Sequence, residues 1–414
     1  MQHTSVIITS NSPGELSTWV APVVRRLHAA HPDWRFCLAL VPCPFASGYE
    51  EEFARRIEGI NVILSPWQTL KVILGGALPF PRAQRGIVLY LGGDPWHALA
   101  LSRRWQYRCL AYVTRRNPLW RFYAGLAVLN EDLAAHLSGG KARVRQVGYV
   151  GWPAPSAPLV VGESASSVVS ESASSVVSDG ARLCLGLFPG SRLIHLRFTL
   201  GPFMAIARSV AAALPQTDLA LAVSPFVSRE ALENVLEAPM GCGHASCGGR
   251  LEGDTLCIQD GPRVKVVWGD SRRVIESMDL ALCIPGTNTG EIAAAGKPLV
   301  VGLTDSIPVP SGGLGCLIER LPGVEAYKRY RRHRFYERKH FAAQPNRKAG
   351  KMICPEIIAE PHLSNVVQAL LDLLNSAEER ARQSRELRAA MGDPGLATER
   401  LCAFIEESLS DGGE

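Results

Sequence analysis

Two glycine-bearing turns in this chain carry the residue types that hold a phosphorylated sugar. Pro189-Gly190-Ser191-Arg192 follows the apolar run Leu183 to Phe188, and Pro285-Gly286-Thr287-Asn288-Thr289-Gly290-Glu291 follows the apolar run Leu280 to Ile284. In the first turn, glycine lets the backbone approach an anion. The helix that opens there offers unpaired N–H groups and a positive dipole end, and Arg192 adds a permanent cation. In the second turn, Gly286, Thr287 and Thr289 leave room, and the Glu291 carboxylate can accept from sugar hydroxyls. That pairing is the chemistry of a nucleotide-sugar site rather than a nicotinamide site. A glycine after a strand is by itself only a turn; two such turns in one half of the chain gain meaning because a parallel sheet brings them to one edge.

The positioning elements are legible as a rhythm. Ser5 to Thr9, Phe36 to Val41, Val62 to Leu64, Ile87 to Leu91, Cys109 to Val113, Leu126 to Leu129 and Val144 to Val147 are read as strands buried on both faces, being largely apolar rather than alternating. The pattern restarts at Leu183 to Phe188 and continues through Leu219 to Val223, Val264 to Trp268, Leu280 to Ile284 and Leu299 to Val301. Helical segments intervene, which predicts an α/β protein with two doubly wound parallel sheets. The expected division is 1–158, a linker at 159–180, and 181–414. Within the linker the octapeptide ESASSVVS occurs twice in tandem, after Pro153, Pro155 and Pro158, and so serine-rich a stretch has too little apolar surface to order itself.

A length of 414 residues with 47% hydrophobic and 20% charged residues describes two globular domains. The first ten residues hold only the short apolar piece Val6-Ile7-Ile8, and no apolar stretch reaches the ~20 residues that cross a bilayer, so a cytoplasmic location is expected. Eleven scattered cysteines fit reduced thiols. Cys242, His244, Cys247 and Cys257 lack the paired spacings of zinc sites, and neither a metal nor another cofactor is expected.

Positive charge is concentrated in two places. Between Pro95 and Asn130 there are six arginines (103, 104, 108, 115, 116 and 121) and no acid, interleaved with Trp96, Trp105, Tyr107, Tyr112, Trp120, Phe122 and Tyr123. Lys328 to His340 carries seven Lys or Arg against Glu337, a local +6 that exceeds the net +5 of the whole chain. No nucleic-acid module accompanies these clusters. An anionic lipid surface or a phosphorylated amphiphilic acceptor suits basic residues mixed with tryptophan and tyrosine, the alternative being a solvated basic face.

The same residues carry a resemblance. The order Pro189-Gly190-Ser191-Arg192, then Gly286 to Glu291, then Pro345-Asn346, Ala349-Gly350 and Pro355-Glu356 is similar to that of the lipid-A-disaccharide synthase family. Gly14-Glu15 with Ser17 resembles that family's opening loop, Gly93-Asp94-Pro95 its acidic loop, and Val147-Gly148 to Pro153 the segment closing its first domain. The resemblance implies a GT-B glycosyltransferase: two Rossmann-like domains facing a cleft, the acceptor on the first, a UDP-sugar on the second, and inversion at the anomeric carbon. It implies an acylated sugar-phosphate acceptor handled at the inner membrane face, and hints at dimers built through the C-terminal helices.

Residue roles follow by carry-over. Arg192 and the amides near Ser191 stabilise the departing UDP phosphate without a metal, Asn346 serves as a neutral donor, and Glu291 binds ribose hydroxyls. Asp94 is the expected general base, with Glu15 and His97 in reserve and a helix cap as the alternative role for Asp94. Three departures alter the walls around the sugar. His195 stands where the family places an acid, Thr18-Trp19 replaces a glycine-aspartate pair, and Gly302 to Asp305 lacks a tyrosine-arginine pair. Two further readings stand beside the transferase: a nucleotide-sugar 2-epimerase on the same architecture, and a UDP-sugar-binding protein without turnover.

Overall fold

The computed structural model describes residues 4–43, 48–152, 182–237, 249–303, 324, 327, 341–358 and 363–410. The tandem octapeptide, Cys242, His244, Cys247 and the basic run from Lys328 to His340 lie outside the described residues.

Seven parallel strands form the first sheet: β1 (Thr4–Ser10), β2 (Arg35–Leu40), β3 (Ile60–Leu64), β4 (Arg85–Tyr90), β5 (Arg108–Val113), β6 (Gly125–Val128) and β7 (Arg143–Gln146), in the order β3-β2-β1-β4-β5-β6-β7. All of β1 is buried, which is why it reads as an unbroken apolar and small-residue run. Chain direction across the sheet reverses between β1 and β4, so the loops leaving their C-terminal ends diverge and open a crevice. Polar caps start the crossover helices. Ser65 and Gln68 form a reciprocal capping box at the helix Pro66–Ile73, and Asn130 accepts from the Leu133 amide at Glu131–Leu137.

The second sheet has eight strands, in the order β10-β11-β12-β9-β8-β13-β14-β15. They are β8 (Cys184–Phe188), β9 (Asp218–Val223), β10 (Gly249–Glu252), β11 (Thr255–Ile258), β12 (Arg263–Trp268), β13 (Leu280–Cys283), β14 (Leu299–Leu303) and β15 (Glu356–Ile358). Its reversal lies between β8 and β13. The strands from β12 through β15 pair in parallel, whereas β10 and β11 form an antiparallel hairpin on the edge. A search for continuous apolar runs passes over this hairpin because Arg250, Glu252 and Cys257 alternate with buried or half-buried neighbours, the signature of a strand with one solvated face.

The chain crosses between the sheets twice, outward after Gly151-Trp152 and back at Pro394. The expected boundary at 181–414 assigns everything after the first crossing to the second domain; the helix Pro394–Ser410 instead packs in the first. Ala397, Leu401, Cys402, Phe404, Ile405 and Leu409 join the cluster built on Val6, Ile8, Leu38 and Leu89. Arg26 pairs with Glu399, and the Glu407 carboxylate takes Arg143 and Arg145. The aromatic stretch after Pro95 also differs from expectation. Trp105, Tyr107, Tyr112, Trp120 and Tyr123 are core residues, leaving Trp96 and Phe122 exposed at 43% and 56%.

Candidate functional site

The loops leaving the two crevices meet. From the first sheet come Asn11 to Glu15 after β1 and Gly92 to Asp94 after β4; from the second come Pro189 to Arg192 after β8 and Pro285 to Thr287 after β13. Gly14 is in direct apposition to the opposite domain, since a Cβ there would overlap Thr287 Oγ1. Gly190, Ser191, Asn288 and Glu291 line one cleft together with Pro13, Gly14 and Ser17, so both glycine turns face the opening loop of the first domain.

Gly190 has φ +113, in the region that favours glycine, and a Cβ there would come within 2.8 Å of Ile284 Cδ1 and 3.0 Å of His195. Arg192 is the residue before the helix Leu193–Ala213 and has extended backbone, so the free N–H groups of a long helix begin beside it. His195 lies on the first turn. Burial and the Arg192 charge push its pKa down to about 4, which leaves a neutral imidazole where an acid would have repelled a phosphate.

Glu15 is held from several sides within the first domain. Its Oε2 accepts from Ser10 Oγ at 3.3 Å and from the Asn11 amide at 3.4 Å, and its own amide donates to Ser12 Oγ. The carboxylate lies flat against Gly92, where any Cβ would overlap it, and this contact ties the loops after β1 and β4 together. Burial raises its pKa above the ordinary carboxylate range. The Asn11 amide, Arg192 across the cleft, Ser10 and Ser12 oppose that rise.

Asp94 is half-buried at the start of the helix Pro95–Trp105, and its side chain makes no capping hydrogen bond. The Gly93 turn before it is fixed by the Tyr90 hydroxyl, which donates to the Gly93 carbonyl at 2.8 Å. His97 is 3% exposed, stacks on Trp96 at 3.7 Å and contacts the Asp94 carbonyl through Nδ1; burial lowers its pKa.

Glu291 accepts from Thr18 Oγ1 across the cleft, with a pKa raised first by burial. Tyr149 supports the same helix: its hydroxyl donates to the Thr287 carbonyl at 3.2 Å, and its ring fills the place a Cβ on Gly290 would need.

Two sequence-based assignments are corrected. Asn346 does not face the cleft: it is fully buried, donates to the Cys354 carbonyl and Glu356 Oε1 at 2.8 Å each, and accepts from the Ile353 and Cys354 amides. Its amide is consumed in shaping the turn into β15. Thr289 is likewise buried, donating to the Gly286 carbonyl and accepting from the Gln344 amide. Arg347, the next residue after Asn346, is what the turn presents to the first domain. It donates to the Thr114 carbonyl at 3.3 Å beside Arg115, and burial followed by the Arg115 charge pulls its pKa down. Arginine directly after the proline-asparagine pair was the available signal.

Two parallel-sheet α/β domains facing a cleft at their crevices, with the last helix returning to the first domain, define the GT-B fold. Solved structures share it over nearly the whole chain. A glycosyltransferase of kitacinnamycin has a TM-score of 0.55 at 16% identity, with 99% of each chain covered. The Staphylococcus aureus MnaA–UDP complex has 0.53 at 14% identity, with 99% of this chain and 97% of that one covered. A UDP-N-acetylglucosamine 2-epimerase of Listeria monocytogenes has 0.51 at 13% identity, with 98% and 97% covered.

In sequence the chain is similar to lipid-A-disaccharide synthases. That of Anaeromyxobacter dehalogenans is 28% identical over 219 residues, 52% of this chain and 47% of the relative; that of Anaeromyxobacter sp. (strain K) is 27% identical over the same shares. No family model matches. The chain spans about half the length of the curated relatives it matches, and the likeness is a divergent one.

Proposed function

We propose that the chain is an inverting glycosyltransferase that moves an acylated glucosamine-type sugar from UDP to a phosphorylated, lipid-linked sugar acceptor. One observation carries the reading. The two turns able to hold a nucleotide-sugar face, within one cleft, the opening loop of the first domain, behind which lie the carboxylates of Glu15 and Asp94. The pyrophosphate lies against the Gly190–Arg192 backbone and guanidinium, and Glu291 accepts from the ribose. As the C–O bond to UDP breaks, negative charge grows on the phosphate beside Arg192 and the helix N-terminus. The acceptor hydroxyl attacks from the opposite face and loses its proton to Asp94. Glu15, whose carboxylate is already held by Ser10 and Asn11, keeps the loops after β1 and β4 in place.

Arg115 and Arg347 stand on opposite sides of the cleft rim and suit an acceptor phosphate. Trp67, Leu74, Trp96 and Phe122 are exposed on neighbouring elements of the first domain, with Lys71 over the Trp67 ring at 5.5 Å and Arg121 over the Phe122 ring at 4.7 Å. That face would rest on an anionic bilayer. Among the described residues no helix is long and apolar enough to cross one.

Incubation with UDP-2,3-diacylglucosamine and 2,3-diacylglucosamine 1-phosphate, followed by mass spectrometry, is the direct test. Disaccharide phosphate formed with one UDP per turnover supports the proposal. Interconversion of the donor sugar with no acceptor consumed would make the chain an epimerase, and UDP binding with neither reaction would make it a binding protein.

A further inference from the structure

A second cavity, of about 320 Å³, lies beside the two chain crossings. Tyr149 and Trp152 of the outgoing crossing and Pro394 of the return bound it, together with Ile275 and Ala294 on helices of the second domain. The volume falls at the lower end of the ~300–1,000 Å³ range of small-molecule sites. Its walls are largely apolar.

Three cations converge on it, Arg272, Lys297 and Arg388, against Glu276 and Glu291. The Arg272 guanidinium lies over the Trp152 ring at 4.6 Å. Lys297 Nζ is already spent on the Glu276 and Met278 carbonyls, at 3.0 and 2.8 Å. Arg388 is different. Its side chain runs over Gly296, which has φ +68 and where any Cβ would overlap the guanidinium nitrogen Nε. Among the described residues that guanidinium has no hydrogen bond or ion pair, and the Lys297 ammonium beside it has the same sign. Glu291 cannot neutralise the cations freely because it is held by Thr18. An arginine fork at one end of an apolar chamber is the recognition chemistry of an anion attached to a hydrophobic body.

We propose that this chamber is a second ligand site for a small amphiphile with a phosphate or carboxylate head, and that filling it tightens nucleotide binding. Glu291 and its hydrogen-bonding partner Thr18 supply the coupling, since Glu291 lines both this chamber and the nucleotide cleft. A ligand touching both crossings and both domains favours the arrangement in which those walls meet, and that arrangement also assembles the donor site. The coupling is reciprocal: UDP must tighten the amphiphile by the same factor.

Titration calorimetry with octyl phosphate, below its micelle-forming concentration and without nucleotide, tests this independently of any sugar transfer. The expected result is one site per chain, weakened about tenfold or more in Arg388→Gln, as loss of a charge-assisted pair predicts. Binding should disappear in Ala294→Trp, which fills the chamber. Inorganic phosphate and octyl glucoside, each carrying half of the chemistry, should bind far more weakly. Saturating octyl phosphate should tighten UDP about fivefold or more.

Equal binding by the parent and Arg388→Gln would overturn the site, as would no binding to the parent. Competitive displacement of octyl phosphate by UDP would assign the chamber to the nucleotide, and an unchanged UDP affinity would remove the coupling. Arg388→Gln alters a guanidinium that makes no hydrogen bond or ion pair among the described residues, so its result stands even if the tryptophan variant fails to fold.

Discussion

Two carboxylates at the tip of the first sheet differ in how they are held, and this separates their roles experimentally. Asp94→Asn is expected to lower kcat on the order of a hundred- to ten-thousandfold, with KM for the donor little changed, in a steady-state assay of UDP release. Glu15 makes a different prediction. Its pKa is raised by burial, so its contribution to stability is complete below the ordinary glutamate value and is lost as pH rises through the shifted value. Glu15→Gln removes that loss, and melting temperatures of variant and parent should diverge in the variant's favour as pH rises above the ordinary glutamate value; parallel curves would refute the burial argument. His195 runs the other way. With its pKa pushed down to about 4, stability is present above the ordinary histidine value and falls with acidification from there toward pH 4, by at most about 3 kcal/mol. His195→Gln should flatten that limb in urea titrations repeated at each pH. At the nucleotide, Arg192→Ala and Glu291→Ala should each weaken UDP binding about tenfold or more by calorimetry.

Elements explain both what the sequence disclosed and what it hid. Every run read as a strand became one, but burial on both faces holds only for some: β1 and β13 are buried throughout, whereas β12 alternates and β7 keeps exposed ends at Arg143 and Gln146. The loops after β1, β4, β8 and β13 were visible as glycine-rich punctuation of those runs. Asn346 and Thr289 were misassigned because whether an amide faces a ligand or its own turn depends on partners such as Cys354 and Glu356, which only tertiary structure supplies. The hairpin β10–β11 hid behind its solvated face, and the Arg115–Arg347 approach joins residues too distant in sequence to suggest each other. Gly14 gives an element-scale prediction. The helix turn containing it abuts the turn after β13, and Gly14→Val forces a branched side chain against Thr287. The domains should spread, with a larger radius of gyration by small-angle scattering and weaker UDP binding; an unchanged radius would mean that the contact yields locally.

The whole molecule is held closed by contacts distributed along the chain rather than by one latch. Thr18 meets Glu291, Tyr149 meets Thr287, and Arg347 reaches Thr114, so three segments of the first domain each grip the second. The last helix adds a fourth connection by leaving the second domain altogether. Each of its buried leucines, and Phe404, contributes roughly 1.5–3 kcal/mol of burial to the first domain. Truncation before Pro394 should therefore destabilise the first domain more than the second. Hydrogen exchange would show protection falling first in β4 and β6, the strands the helix covers; uniform loss across both sheets would contradict this.

That returning helix has a consequence for the birth of the protein. Translation delivers β1 through β7 early, yet the buried leucines and phenylalanine that seal their outer face emerge only about 250 residues later. At ~5–20 residues per second the ribosome leaves this hydrophobic seam open for tens of seconds. During that interval the apolar face that the last helix will cover stays open to solvent, and the first domain can complete its core only when the final residues of that helix arrive.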